Sequence, residues 1–232
     1  SLEQDPLIKK HMFDREDAQG NATISVQWNN PGNSSYGVGA RMKKIVNVVE
    51  TLLNGEVYHW HSKVTAKAAR EGGAWEWHQD YGYWYNHGCL YPEMMSVMIA
   101  IDKSSKANGC LQILKGSNNI GRIDHIKTVK DNGDLGQVCA DQERIKWAET
   151  KHDNLYCEMD PGDALFFHGN TLHASGPNKS EKRRWALLFC YNKASNSPFI
   201  KSHQPSYRPI KKEENDYIEK HGVTLGDGSE EF

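Results

Sequence analysis

Between Met42 and Leu53 the apolar residues fall at 42, 45, 46, 49, 52 and 53, which is the period of a helix with one buried face. Asn54-Gly55 supplies its stop signal, and the apolar stripe predicts packing on a sheet. From Glu56 onward the pattern changes. Short runs of apolar, β-branched and aromatic residues alternate with turn signals, which predicts strands at 56–61, 63–67, 75–80, 94–101, 110–114, 155–159, 164–168 and 183–191. Turns are expected at Glu71-Gly72-Gly73, Lys106-Ala107-Asn108-Gly109 and Asp160-Pro161-Gly162-Asp163. Asp141 to Thr150 reads as a short helix within a long insert. Residues 1–35 are polar and read as irregular or weakly helical, and residues 200–232 read as a polar surface tail. Many short strands with few helices predict a mainly β fold with flanking helices, a sandwich or jelly roll.

Composition narrows the function classes. A chain of 232 residues is read as one domain with a substantial core. A formal charge of −2 gives no general attraction to nucleic acid or to an anionic membrane. No apolar run reaches the roughly eighteen residues of a membrane span. The five cysteines, at 89, 110, 139, 157 and 190, are scattered and lack Cys-x-x-Cys spacing. That pattern fits neither a disulfide framework nor a zinc knuckle. The expectation is a reducing, intracellular and specifically cytoplasmic setting with no signal peptide, and a small molecule as partner. Asn21, Asn33 and Asn178 open glycosylation-type tripeptides, which carry little weight on their own.

The candidate chemistry centres on Trp75-Glu76-Trp77-His78-Gln79-Asp80-Tyr81. On an extended segment, His78 and Asp80 present an imidazole and a carboxylate to the same side. Two histidines and one carboxylate on one face of an octahedron leave three positions open on Fe(II) for oxygen chemistry. A lone His-x-Asp is weak evidence, so a second histidine is needed. Asp160-Pro-Gly-Asp turns into an apolar strand that runs into a loop carrying His168 and His173, and either could complete the set. On the strand that follows, alternation puts Arg184, Ala186, Leu188 and Cys190 on one face. An arginine among apolar residues needs an anion, and a ligand's carboxylate suits its forked guanidinium.

With these elements in order, the chain resembles the phytanoyl-CoA dioxygenase family of Fe(II)/2-oxoglutarate oxygenases. His78-x-Asp80, a distal His173, Arg184 eleven residues later, Asn108-Gly-Cys-Leu-Gln-Ile-Leu-Lys-Gly-Ser117, the Pro-Gly-Asp turn and Asn178-Lys-Ser carry the resemblance. It implies a double-stranded β-helix (a cupin-like jelly roll) over about residues 56–192, with iron at one mouth. It also implies that His78, Asp80 and His173 ligate Fe(II), and that Arg184 anchors the distal carboxylate of 2-oxoglutarate with Ser175 beside it. Lys63 would border the cosubstrate.

O2 is the co-reactant that the resemblance implies, and ascorbate is expected to support turnover in vitro. Related halogenases replace the acid of the motif by a small residue, so the retained Asp80 implies hydroxylation. Met98 stands where better-known members have Trp, and core packing is its expected role. Asn118 replaces a common His, and the family's N-terminal strand and helix are not legible before residue 36. Trp77, Tyr81 and Tyr83 are candidate substrate-lining aromatics, with core packing the alternative. Two other readings of the chain are a cupin-like metal hydrolase or isomerase without 2-oxoglutarate, and a non-catalytic jelly-roll binding module. Arg184 argues against the first, and the complete His-Asp-His set against the second.

Overall fold

The computed structural model describes residues 12–222 apart from 131 and 134. Its strands are β1 (Met12–Glu16), β2 (Ala22–Trp28), β3 (Val57–Lys67), β4 (Trp75–His78), β5 (Met94–Ala100), β6 (Leu111–Leu114), β7 (His125–Val129), β8 (Leu135–Ala140), β9 (Asn154–Cys157), β10 (Ala164–His168), β11 (His173–Ser175) and β12 (Arg184–Lys193). The helices are α1 (Ser35–Gly39), α2 (Lys43–Leu53), α3 (Asp80–Trp84), α4 (Gln142–Glu149) and α5 (Tyr217–His221). A six-stranded sheet runs β1-β2-β3-β12-β5-β10 and a four-stranded sheet runs β4-β11-β6-β9, with β7 and β8 paired separately. Every strand pair is antiparallel, as a jelly roll requires.

Alternation along β12 sorts the two layers of core. Phe189 and Tyr191 face outward and pack with Ile45, Val46, Val49 and Leu53 of α2. Ala186 and Leu188 face inward and meet Met98, Leu111 and Phe167. The predicted helix therefore covers the outer face of the large sheet. Its end is set by Asn54, which takes the left-handed conformation at φ 50°. Truncating buried Phe189 to Ala would cost about 3–5 kcal/mol. The inner face is different, because β3 contributes His61, Lys63, Thr65 and Lys67 to it. A polar row on the inside of a sheet marks a lined cavity rather than a filled core.

Several expectations are corrected. Residues 56–61 and 63–67 form one strand, β3, because Ser62 is buried and paired with Phe189. Residues 12–28 form the hairpin β1–β2, not irregular chain, and a five-residue helix, α1, follows at Ser35–Gly39. Residues 1–11 lie outside the described residues. The β7–β8 hairpin falls where no strand is expected. Residues 200–222 lie at the surface as expected and are anchored there: Glu213 pairs with Arg41 at 2.7 Å, Ile210 packs on the α2 core, and the Tyr207 ring meets Tyr58 at 5.8 Å. Residues 223–232 are outside the described set. The insert helix forms as expected, with Asp141 capping it by accepting from the Arg144 amide at 3.0 Å.

Candidate active site

His78 is the last residue of β4, and Asp80 opens α3, so the strand expected over 75–80 stops at 78. Gln79 between them keeps an extended backbone (φ −107°, ψ 132°), which turns both side chains to one side before the helix begins. Gln79 is fully buried and fixes this junction. Its amide nitrogen donates to the Asn170 carbonyl at 2.9 Å, and its amide oxygen accepts from the Ile123 amide at 2.7 Å. His173 opens β11 and sits opposite His78 in the β4–β11 ladder.

The three groups converge. One ligand atom from each of His78, Asp80 and His173 lies within 4.8 Å of the others, and all three residues are buried. Asp80 Oδ1 is 3.9 Å from His78 Nε2 and 3.8 Å from His173 Nε2. These gaps are too long for hydrogen bonds, so the carboxylate and the two imidazoles converge without bonding one another. His78 Nδ1 lies 2.7 Å from the Glu76 carbonyl and His173 Nδ1 lies 2.8 Å from the Thr171 carbonyl. A carbonyl only accepts, so each Nδ1 carries the proton and each Nε2 keeps its lone pair for the centre. Burial, reinforced by the neighbouring imidazole, holds the His78 pKa well below the usual value. Burial also lowers His173, so both rings are neutral. Burial opposes the Asp80 charge, but the groups around it, Lys63 and the Ser96 hydroxyl among them, outweigh it, and the acid stays below its ordinary pKa. Ser96 donates to Asp80 Oδ2 at 2.5 Å, leaving Oδ1 to face the histidines.

Beside this centre lies a cleft lined by Lys63, His78, Met98, His173, Ser175 and Arg184, among others. Arg184 is buried, and burial lowers its pKa to about 10. One of its nitrogens donates to the Gly109 carbonyl at 2.7 Å, while its Nε has no partner. No carboxylate pairs with Arg184 among the described residues. Gly109 is held at φ +75°, and a Cβ there would lie 2.2 Å from the Gly176 carbonyl oxygen, so only glycine can bring this carbonyl to the arginine.

Directly opposite Arg184 in the ladder is Lys67, which sequence reasoning missed because lysine reads as exposed. Its ammonium donates to Ser175 Oγ at 2.8 Å and to the Gly176 carbonyl. Burial and the Arg184 charge hold the Lys67 pKa well below normal. With the lysine donating to its oxygen, the Ser175 hydroxyl proton is free for an acceptor in the cleft.

A second, larger cavity opens at the same centre and is lined by Asp80, Tyr83 and Trp84 but not by Arg184. Lys63, Trp75 and His78 line both spaces. Of the candidate substrate-lining aromatics, only Tyr83 reaches it, with its hydroxyl donating to the Val138 carbonyl. Trp77 does not. Next to His78 on the extended strand, it points to the opposite face and packs on the Leu114–Ala140 cluster. The β4–β11 ladder matches three steps on β4 (75 to 78) to two on β11 (173 to 175), and this bulge brings Trp75 onto the same face as His78. Tyr81 is also in the core, on α3, with its hydroxyl donating to the Cys89 carbonyl at 3.2 Å. His168 ends β10 away from the triad and accepts the Asn170 amide at 3.2 Å. Met98 packs in the core as expected and also edges the cleft.

His125, on the unexpected hairpin, is a second missed residue. It accepts the Gln79 amide at 3.1 Å and lies tilted against Tyr83 at 4.8 Å between ring centres. A Cβ on Gly82 would fall 1.7 Å from its ring, so glycine is required where α3 passes under it. Asn178 is buried, with its amide donating to Ala68 and Lys182 carbonyls at 2.9 and 2.7 Å, so it shapes the loop before β12.

The sequence profile of the family described as phytanoyl-CoA dioxygenase (PhyH) matches residues 4–186. The chain belongs to the phytanoyl-CoA dioxygenase family. Within it, the chain is 29% identical over 170 residues to the L-proline trans-4-hydroxylase of Streptomyces griseoviridis, covering 68% of this chain and 63% of that one. It is 30% identical over 164 residues to a probable alpha-ketoglutarate-dependent hypophosphite dioxygenase of Stutzerimonas stutzeri, covering 69% of this chain and 54% of that one. The chain thus spans between about half and two-thirds of the length of these curated relatives. Its fold is that of EctD from S. alaskensis. The apoform superposes with a TM-score of 0.71 at 20% identity, covering 89% of this chain and 72% of that chain. EctD is also known with bound Fe and with 2-oxoglutarate and 5-hydroxyectoine.

The residues present fit such groups. Two neutral Nε2 atoms and one ionised carboxylate oxygen, all buried and mutually unbonded, suit a divalent metal. The unpartnered Nε of buried Arg184 suits the carboxylate of a cosubstrate. No helix among the described residues is long and apolar enough to cross a membrane.

Proposed function

We propose that the chain is an Fe(II)- and 2-oxoglutarate-dependent dioxygenase that hydroxylates a C–H bond of a small molecule. The observation that carries this reading is the adjacency of two unfinished sets. The convergent His78, Asp80 and His173 atoms share a wall with the cleft that holds the unpartnered Arg184 donor. In this reading His78, Asp80 and His173 hold the metal. The bound metal supplies the redox chemistry by which O2 and 2-oxoglutarate yield succinate, CO2 and a hydroxylated product, one oxygen atom entering each of succinate and product.

The chain's own residues do the rest. The Glu76 and Thr171 carbonyls fix both ring tautomers, and Ser96 fixes the carboxylate. Arg184 and the Ser175 hydroxyl take the distal carboxylate of 2-oxoglutarate, with Lys67 orienting that hydroxyl and Lys63 bordering the cosubstrate. Leu111, Met98 and Leu188 keep the cleft dry. A substrate would enter from the larger cavity, which His78 and Asp80 line and Arg184 does not.

The test is succinate release on incubation with Fe(II), ascorbate, O2 and 2-oxoglutarate, alone and with a broad panel of small metabolites. Uncoupled succinate formation, raised by at least one compound, is expected. No succinate under any condition would remove the oxygenase reading and favour a cupin-like enzyme that needs no 2-oxoglutarate.

A further inference from the structure

We infer that the larger cavity binds a small organic anion, its carboxylate or phosphonate seated between Arg15 and Lys63. This rests on the oxygenase reading in taking that cavity as the substrate's. Both cations lie against the same indole: the Arg15 guanidinium carbon is 4.8 Å and the Lys63 ammonium 5.2 Å from the Trp75 ring centre. Neither makes a hydrogen bond or ion pair among the described residues, although both are half-buried. Desolvated cations without an acceptor are a standing cost unless a ligand supplies the anion.

The fold puts them there deliberately. Alternation on β1 turns Phe13 and Arg15 to the cavity and Asp14 and Glu16 to the other face, where Glu16 pairs with Lys130. Lys63 on β3 pairs in register with Gln27 on β2, which adds a neutral amide to the same wall. The only carboxylate lining the cavity among the described residues is Asp80, and its oxygens face Ser96 and the two histidines. Asp80 is thus unavailable to balance Arg15. Apolar faces from Phe13 and Trp84 complete a space that takes a charged head at the Trp75 end and a hydrocarbon body toward the metal ligands.

The test is a charge series on one hydrocarbon body. Protein loaded with Mn(II) and N-oxalylglycine, an unreactive isostere of 2-oxoglutarate that fills the Arg184 cleft, is titrated by calorimetry and tryptophan fluorescence. The probes are cyclopentanecarboxylate, cyclopentylphosphonate, cyclopentanecarboxamide and cyclopentylmethylamine. The two anions are expected to bind about tenfold or more tightly than the amide and the amine. Arg15→Gln, on an edge strand where the fold tolerates it, is expected to remove that preference while N-oxalylglycine still binds. Equal binding of the amide, tighter binding of the amine, or no binding of either anion overturns the proposal. Failure of Mn(II) and N-oxalylglycine to bind overturns the oxygenase reading instead, and the charge series is then scored on metal-free protein.

Discussion

Two lysines on the inner row of β3 live in opposite surroundings. Lys67 is sealed, with its ammonium on Ser175 and Gly176 oxygens. Lys63 is half-buried, touches the Trp75 face and has no oxygen partner among the described residues. One strand therefore carries a finished cation and an unfinished one. The finished cation holds up the wall of the Arg184 cleft, and the unfinished one faces the larger cavity. A buried charge whose donors are used belongs to the architecture. One whose donors are idle is waiting for a ligand.

That contrast can be broken from either end. Arg184→Ala is expected to have the largest effect, weakening 2-oxoglutarate binding by about a hundredfold while metal affinity stays within about threefold. Equal loss of both, measured by calorimetry, would sink its role as a carboxylate anchor. Lys67→Met comes next. It strands the Ser175 and Gly176 oxygens, and denaturant unfolding should show a loss of about 1–3 kcal/mol, partly offset by relief of repulsion with Arg184. Lys63→Met should cost less than Lys67→Met, since it breaks no hydrogen bond and loses only the attraction for the Asp80 carboxylate. If the two lysine variants lost the same stability, the distinction between finished and idle cations would fail.

An effect read against pH lies further along the same strand, at His59. Its pKa is lowered to about 3 by burial. Below pH 6.5 the unfolded chain takes up a proton that folded His59 refuses, so this contribution to stability is full above pH 6.5 and is lost as pH falls toward 3. The slope from this one group approaches about 1.4 kcal/mol per pH unit. A His59→Gln variant should show a shallower fall in stability between pH 6.5 and 4.5; an unchanged slope would mean that His59 is protonated in the fold.

Much of this was legible in the residues, and the exceptions have physical causes. The alternation of β12 carried its two faces and the inward Arg184, and the helical period carried α2. The β1–β2 hairpin was hidden because its inward residues line a cavity, so Phe13, Arg15 and Gln27 do not read as core; only Ile24, Val26 and Trp28 carry the signal. Lys67 was hidden because no local pattern announces a buried lysine. Trp77 takes the core alternative, as alternation with His78 dictates, and Trp75 was missed because a bulge is a property of two strands and cannot be seen in one. The β7–β8 hairpin, with Lys127, Val129 and Leu135 exposed or half-exposed, has too little buried face to show a period, yet it delivers His125 to the motif.

The central claim is that the His78–Asp80–His173 centre and the Arg184 cleft form one site. The most direct measurement is the affinity for 2-oxoglutarate with and without one equivalent of Mn(II), in wild-type protein and in Asp80→Ala. The account predicts that the metal tightens 2-oxoglutarate binding by about tenfold or more, and that Asp80→Ala abolishes this coupling. Binding of 2-oxoglutarate that ignores the metal, or coupling that survives in Asp80→Ala, would contradict it.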